Sequence, residues 1–208
     1  DVSSYDAWYA ACPPNFDSKV LKGDRYLGKN YRSINGLRYQ MLSVINENGY
    51  MYDIGYVYYS SFSDAFSESN MKYIFDNFKD CKGLILDVRN NGGGSAELSE
   101  TLASYFFKRD TVSIYIQHKT GPGHRQFSEK VAVPTYSADG LHWERPVVVL
   151  TNRMSYSATN MFVCRMKDAP HATIIGDKTG GGGGLPMSDE LPNGWLVRFS
   201  TSPMTDAS

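Results

Sequence analysis

The sequence has no excess of positive charge, and this limits what it can bind. Lys and Arg number 21 against 22 Asp and Glu, so the formal net charge is −1. Proteins that bind nucleic acids or anionic membrane surfaces normally carry a surplus of basic residues, because phosphates and lipid head groups are negatively charged. The composition therefore argues against both classes of partner.

Cysteine is scarce as well. The three cysteines, Cys12, Cys81 and Cys164, are odd in number and show no Cys-x-x-Cys spacing, which argues against a zinc site or a redox motif. We therefore predict no metal site. Cys81 precedes an apolar segment and Cys164 lies in a predicted helix, so both are expected to be small core residues.

Long apolar runs are also missing. Runs such as Val147–Leu150 are far shorter than the roughly 20 apolar residues that a membrane-spanning helix needs. We predict no membrane span in this chain.

A packed core is nevertheless expected, because 41% of the 208 residues are apolar and 21% are charged. Residues 1–36 carry Pro13–Pro14, several glycines and no sustained apolar period, so we predict an extended N-terminal arm over 1–36. A core domain is predicted over 37–208, since a chain of this length holds one large domain or one domain with an appendage.

The first half of the core has the pattern of a hairpin followed by strand–helix units. Tyr39–Ile45 and Tyr50–Tyr59 read as two strands joined by a turn. Ser67 can cap a helix whose apolar residues recur at helical spacing. Gly83–Val88 is a short buried strand, and a glycine turn at residues 92–94 and a second helix follow it.

The second half repeats the unit. Residues 112–116 read as a strand, and Pro146–Leu150 is another buried strand before a helix opened by Ser155 or a neighbour. Thr173–Ile175 is a strand, residues 179–184 form a glycine loop, and a final hairpin turns at Pro192–Gly194. Strand–loop–helix units in succession predict an α/β fold with helices packed on a mostly parallel sheet.

Two places combine a strand end, a tight turn and a helix start: residues 92–94 and 155–158. Helix N-termini present free backbone N–H groups, so a serine there has the placement of a nucleophile, and nearby glycines let a second N–H approach. The residues leave other interpretations open. Ser155 can be a helix cap, Ser157 a first-turn serine, and the glycines a turn that needs positive φ.

Three segments resemble one known family. Lys82–Gly94 (KGLILDVRNNGGG) is similar to the signature strand and glycine turn of the tail-specific, or C-terminal processing, serine proteases. Pro146–Phe162 resembles that family's nucleophile segment, and Ile175–Gly181 the strand and loop after it. The resemblance extends from Ile54 to Thr201 and implies a ClpP/crotonase-like core of stacked ββα units.

The resemblance also implies a site. By position, Ser157 is the nucleophile, and the backbone N–H of Ala158, with one from Gly92 or Gly93, forms the oxyanion hole. The glycine loop is expected to contact the substrate through three residues: Gly180, Gly181 and Gly182. No cofactor is expected.

The general base stays unassigned, because the chain departs from the family pattern. Gly182 stands where lysine-type members carry their base, and Asn160 stands where a Glu usually ends the serine motif. The chain resembles the tricorn-like branch more than the lysine-type branch, although the histidine and glutamate of that branch have no counterpart here. No segment resembles a PDZ module. We expect a chain truncated at its C-terminus that lacks its base, with His118 and Lys178 as weak candidates.

The predicted function is that of a serine endopeptidase core that cleaves extended polypeptides through an acyl-enzyme. The family resemblance also implies that the protein is exported. The alternative is an inactive ligand- or peptide-binding protein on the same fold. An acyl-CoA enzyme of the crotonase type ranks below both, since it has no use for a serine at the nucleophile position. The sequence does not determine an oligomeric state.

Overall fold

The computed structural model describes residues 16–23 and 26–206. Strands account for most of the regular structure in these ranges. They are β1 (Arg32–Ile34), β2 (Leu37–Ile45), β3 (Met51–Tyr59), β4 (Gly83–Asp87), β5 (Thr111–Ile116), β6 (Val131–Thr135), β7 (Val147–Thr151), β8 (Ala172–Gly176), β9 (Pro186–Glu190), β10 (Leu196–Ser200) and β11 (Met204–Asp206).

The helices of the same ranges are short. They are α1 (Ser18–Leu21), α2 (Glu68–Asn77), α3 (Ala96–Ser104) and α4 (Ala158–Met166). Among the described residues, no helix has the length and apolar character needed to span a bilayer.

The main sheet has the order β1-β2-β3-β4-β7-β8. Strands β3, β4, β7 and β8 run parallel to one another, whereas β1 pairs antiparallel with β2, and β2 pairs antiparallel with β3. The predicted α/β architecture with a mostly parallel sheet is therefore confirmed. Because parallel neighbours end at the same edge of a sheet, the turns after β4 and β7 are brought side by side.

Two smaller sheets complete the described fold. The hairpin β9–β10 pairs antiparallel around the predicted turn, and β5 lies between β6 and β11. The sequence pattern did not predict β6 or β11. Strand β6 contains Pro134, which removes a backbone donor, and β11 has only three residues, so neither shows a clear alternation.

One face of the sheet carries the main core. Val57 and Tyr59 of β3 pack there with the buried faces of α2, α3 and α4. Cys81 belongs to this core, as predicted, and Cys164 of α4 is partly buried. Burial raises the pKa of both thiols. Cys12 lies outside the described residues.

The opposite face is covered by the described part of the predicted arm. Leu21 of α1 and Leu27 pack against Tyr56 and Tyr58, whose side chains alternate with those of the main core. Strand β1 then pairs with β2. Between residues 16 and 36 the described chain is therefore not extended throughout, since it contains α1. It covers one face of β3, because a central strand that is buried on both faces needs a cover on each. The division at residue 36 stays a prediction.

A buried carboxylate, that of Asp87, ends β4. Its oxygens accept hydrogen bonds from the Arg89 N–H (3.0 Å), Nε (2.9 Å) and Nη2 (2.6 Å), and from the Tyr56 hydroxyl. These bonds hold the pKa of Arg89 above its ordinary value, and burial raises the pKa of Tyr56. The ion pair of Asp87 and Arg89 orients the chain where it leaves the sheet toward the glycine turn.

Helix α2 begins with the predicted cap. The Ser67 side chain accepts from the Asn70 N–H at 3.3 Å, and the Asn70 side chain accepts from the Ser67 N–H at 3.0 Å, which completes a capping box.

We predict that Ser67→Ala lowers the free energy of unfolding by about 1 kcal/mol, measured by urea denaturation. Ser67→Asp, which also caps helices well, is the matched control. An equal loss in both variants would contradict the capping role.

Candidate active site

The two predicted site segments meet at one edge of the main sheet. The turn of residues 88–95 follows β4, and the turn of residues 152–157 follows β7, its parallel neighbour. A direct bond joins them, since the Tyr156 N–H donates to the Asn91 carbonyl at 3.0 Å. The strand order therefore brings together two segments that lie more than sixty positions apart in the chain.

Ser157 has an unusual backbone conformation, with φ 58° and ψ −120°. It is the residue before α4, yet its side chain makes no capping bond to the helix. Residues other than glycine rarely adopt this conformation, and each instance costs about 1–3 kcal/mol unless surrounding structure enforces it. Ser157 is partly buried and stands on a strained strand-to-helix turn, the placement of the serine in a nucleophile elbow.

Ser155 differs from Ser157 in every respect that matters for reactivity. It is fully buried, its hydroxyl donates to the Val88 carbonyl at 2.8 Å, and it accepts from the Asn152 N–H at 3.1 Å. Ser155 is therefore a structural link between the two turns and does not start the helix.

Gly93 touches the Ser157 turn so closely that no other residue fits. A Cβ added to Gly93 would lie 2.6 Å from the Tyr156 carbonyl oxygen, 2.7 Å from Ser157 Cβ and 2.9 Å from the Ala158 nitrogen. Its φ of 99° also lies in the region that favours glycine. Gly92, by contrast, has open space where a Cβ would stand.

The buried side chain of Asn91 holds this approach in place. Its Nδ2 donates to the Tyr59 carbonyl at 2.9 Å, and its Oδ1 accepts from the Gly93 N–H at 3.0 Å and from the Thr159 hydroxyl at 2.7 Å. One amide thus joins β3, the glycine turn and α4. Sequence reasoning missed this residue, although an Asn just before a glycine turn often bonds to the backbone two residues on.

These bonds decide which backbone donors are free near Ser157. The Gly93 N–H is already bonded to Asn91 Oδ1. In the described part of the chain, the N–H groups of Gly92 and Ala158 donate no backbone hydrogen bond. Ala158 is the first residue of α4, where a helix leaves its N–H groups without internal partners.

The glycine loop docks directly on the Ser157 turn. The Ser157 N–H donates to the Gly181 carbonyl at 2.8 Å, and the Gly180 N–H donates to the Ser155 carbonyl at 2.9 Å. The Thr179 hydroxyl donates to Asn160 Oδ1 at 2.5 Å, so Asn160 ties α4 to the start of this loop. At least part of the predicted substrate loop therefore supports the serine turn itself.

The ring of Tyr156 lies beside Gly182, one of the positions that departs from the family pattern. A Cβ on Gly182 would lie 2.1 Å from Tyr156 Cζ, because the ring packs against the loop at that point. A lysine at position 182 would require this ring to move. Tyr156 was not identified from the sequence, and no local pattern indicates its contact.

Two cavities flank the serine turn. The Ser157 cavity, of about 520 Å³, is lined by Gly94, Ala96, Ser157, Ala158, Met161, Gly182, Gly183, Gly184, Leu185, Pro186, Met187, Arg198, Thr201 and Met204. The Tyr156 cavity, of about 760 Å³, is lined by Gly92, Arg153, Met154, Tyr156, Asp177, Lys178, Thr179 and Gly180.

Neither predicted base lines the Ser157 cavity. Lys178 is exposed and faces the Tyr156 cavity. His118 is exposed, with Nδ1 3.5 Å from Ser202 Oγ, and the Ser202 N–H donates to the Gly184 carbonyl. Within residues 16–23 and 26–206, no cluster of three or more His, Cys, Asp or Glu side chains could hold a metal ion.

Comparison with known proteins identifies relatives. The model of Peptidase family S41 matches residues 53–208. The carboxy-terminal processing protease CtpB of Bacillus subtilis (strain 168) is 30% identical over 150 residues, covering 72% of this chain and 29% of CtpB. CtpA of the same strain is 27% identical over 143 residues, covering 66% of this chain and 29% of CtpA. The chain spans less than a third of the length of these curated relatives.

Solved structures agree on the fold. A crystal structure from Parabacteroides merdae ATCC 43184 is 48% identical, with a TM-score of 0.87, and the match covers 99% of this chain and 62% of that one. Mature CPAF in complex with lactacystin has a TM-score of 0.75 over 97% of this chain and 54% of its own. Its 16% identity supports a shared fold alone.

The contrast between the neighbouring glycines gives a direct test. We predict that Gly93→Ala lowers the free energy of unfolding by about 2 kcal/mol or more, because the new methyl group must displace the Ser157 turn at an unfavourable φ. Gly92→Ala is the matched control and should unfold like the wild type. Urea denaturation measures both, and equal stability of the two variants would disprove the close approach.

Proposed function

The chain belongs to Peptidase family S41, and we propose that it forms the catalytic core of a serine peptidase with Ser157 as nucleophile. One observation carries the proposal. A strained, partly buried serine stands at the start of α4, and the glycine turn of the neighbouring strand lies in van der Waals contact with it.

The proposed reaction begins with attack of Ser157 Oγ on a peptide carbonyl. The oxyanion that develops accepts one hydrogen bond from the Ala158 N–H and a second from an N–H of the glycine turn. In that turn the Gly92 N–H has no bonded acceptor among the described residues, whereas Gly93 would share its N–H with Asn91 Oδ1. Donors held in advance stabilise the transition state, and loss of one typically costs about 100- to 1,000-fold in rate.

Collapse of the tetrahedral intermediate breaks the peptide C–N bond, and the departing amine takes up the proton that a general base removed from Ser157. Water then hydrolyses the resulting ester, which releases the acid product and restores the serine hydroxyl. The serine proton needs an acceptor, and neither His118 nor Lys178 lines the Ser157 cavity. We propose that the base is neither of these residues.

The proposed substrate is an extended polypeptide. Hairpin β9–β10 forms a separate two-stranded sheet whose Pro186, Met187 and Arg198 line the Ser157 cavity, so backbone at its edge lies beside the nucleophile. Extended peptides commonly bind by adding a strand to such an edge. We further propose an exported protein whose core comprises residues 37–208, which rests on the family resemblance.

The assignment of Ser157 is tested by removing each serine of the pair in the full-length protein. We predict that Ser157→Ala abolishes labelling by a fluorophosphonate probe and cleavage of an unfolded protein, yet leaves folding intact. Ser155→Ala should keep the labelling and lose about 1–3 kcal/mol of stability, because it leaves buried polar groups without partners. Equal cleavage by wild type and Ser157→Ala would refute the assignment. Absence of labelling in the wild type would favour the binding-protein alternative.

The candidate bases are tested in the same way. Loss of a general base typically lowers the rate by about 100- to 10,000-fold. We predict that His118→Gln and Lys178→Gln each label with fluorophosphonate at a rate within roughly threefold of the wild-type rate. Such a change is far smaller than the loss expected on removal of a general base. The labelling rate of each variant is measured beside that of the wild type. A collapse of labelling in either variant would identify the base and contradict our placement.

A further inference from the structure

The Ser157 cavity contains one charged side chain among the described residues that line it, and that side chain is Arg198. Every other lining residue is apolar, a glycine, or carries a hydroxyl. A single cation against such a lining has no obvious role in packing the fold, because Arg198 is exposed and belongs to neither described core cluster.

The position of Arg198 in its strand explains why it faces the cavity. Side chains two apart in a strand share a face, so Arg198 shares its face with Ser200. Ser200 lies against the glycine loop, since a Cβ on Gly184 would come within 2.8 Å of it. The Thr201 N–H and hydroxyl donate to the Gly184 and Leu185 carbonyls, which anchors the strand end there.

The charge of Arg198 is not neutralised within the described chain. No ion pair of the described residues includes it, although Glu190 lies on the same face of the hairpin, paired with Leu196. A guanidinium presents a planar fork of donors that matches a carboxylate. The cavity beside the nucleophile therefore contains a free anion-binding group.

We propose that Arg198 binds a carboxylate of the peptide held at Ser157 and so determines which peptides bind. Two sources share this chemistry: the free α-carboxylate of a peptide that ends in the cavity, and the side chain of an Asp or Glu. The inference rests on the proposed function, because it takes the Ser157 cavity as the peptide site. Arg198 takes no part in bond cleavage.

Binding to the Ser157→Ala form of the full-length protein tests the proposal without turnover. The probes are fluorescein-labelled peptides of Ala, Gly and Leu in three forms: a free acid, a C-terminal amide, and an amide with one internal Glu. We predict that Arg198→Gln weakens binding of the free acid or the Glu peptide roughly fivefold to tenfold and leaves the neutral amide unchanged. Arg198→Lys should retain part of the preference, and added salt should reduce it.

Arg109→Gln is the matched control, because Arg109 is exposed and lines a different cavity with His142 and His171. It should bind all three peptides like the parent. Arg198→Gln with unchanged affinities, or with equal losses for all three peptides, would overturn the proposal. Fluorophosphonate labelling of the wild type is scored separately. Absent labelling contradicts the peptidase assignment, whereas a retained carboxylate preference still supports the role of Arg198.

Discussion

The candidate site depends on the buried amide of Asn91. Its three hydrogen bonds reach the end of β3, the glycine turn after β4 and the first turn of α4. A buried amide that loses its partners leaves polar groups unsatisfied at a cost of about 1–3 kcal/mol each. The three elements are therefore fixed relative to one another, and Gly93 can stay in contact with Ser157.

The second constraint is the conformation of Ser157 itself. Its positive φ is unfavourable, and it is held by the Gly181 carbonyl on one side and the Gly93 contact on the other. Strain of this kind is retained where surrounding structure enforces it, and it is concentrated at functional sites. Here Ser157 lines a cavity, while the hydroxyl of Ser155, two residues earlier, is consumed by internal bonds.

Much of the fold could be predicted from local patterns. The cap at Ser67, the hairpin of β2 and β3, and the buried strands β4 and β7 all follow from side-chain types at short spacing, and each is present. The short strands β6 and β11 escaped prediction because β6 contains Pro134 and β11 has only three residues, so neither shows a clear alternation. The cover over Tyr56 and Tyr58 was missed because it is a tertiary contact that leaves no periodic signal.

For the site, the amino-acid sequence by itself determined the two strand–turn–helix junctions, the run of glycines and the presence of two candidate serines. These follow from residue type and spacing along the chain. The family resemblance singled out Ser157, and only the tertiary structure showed that the Ser155 hydroxyl is consumed by internal bonds, assigned the Gly93 N–H to Asn91, and brought Arg198 to the cavity wall. Such distinctions depend on which atoms meet across parallel strands and loops distant in sequence, and a linear pattern carries no information about those distances.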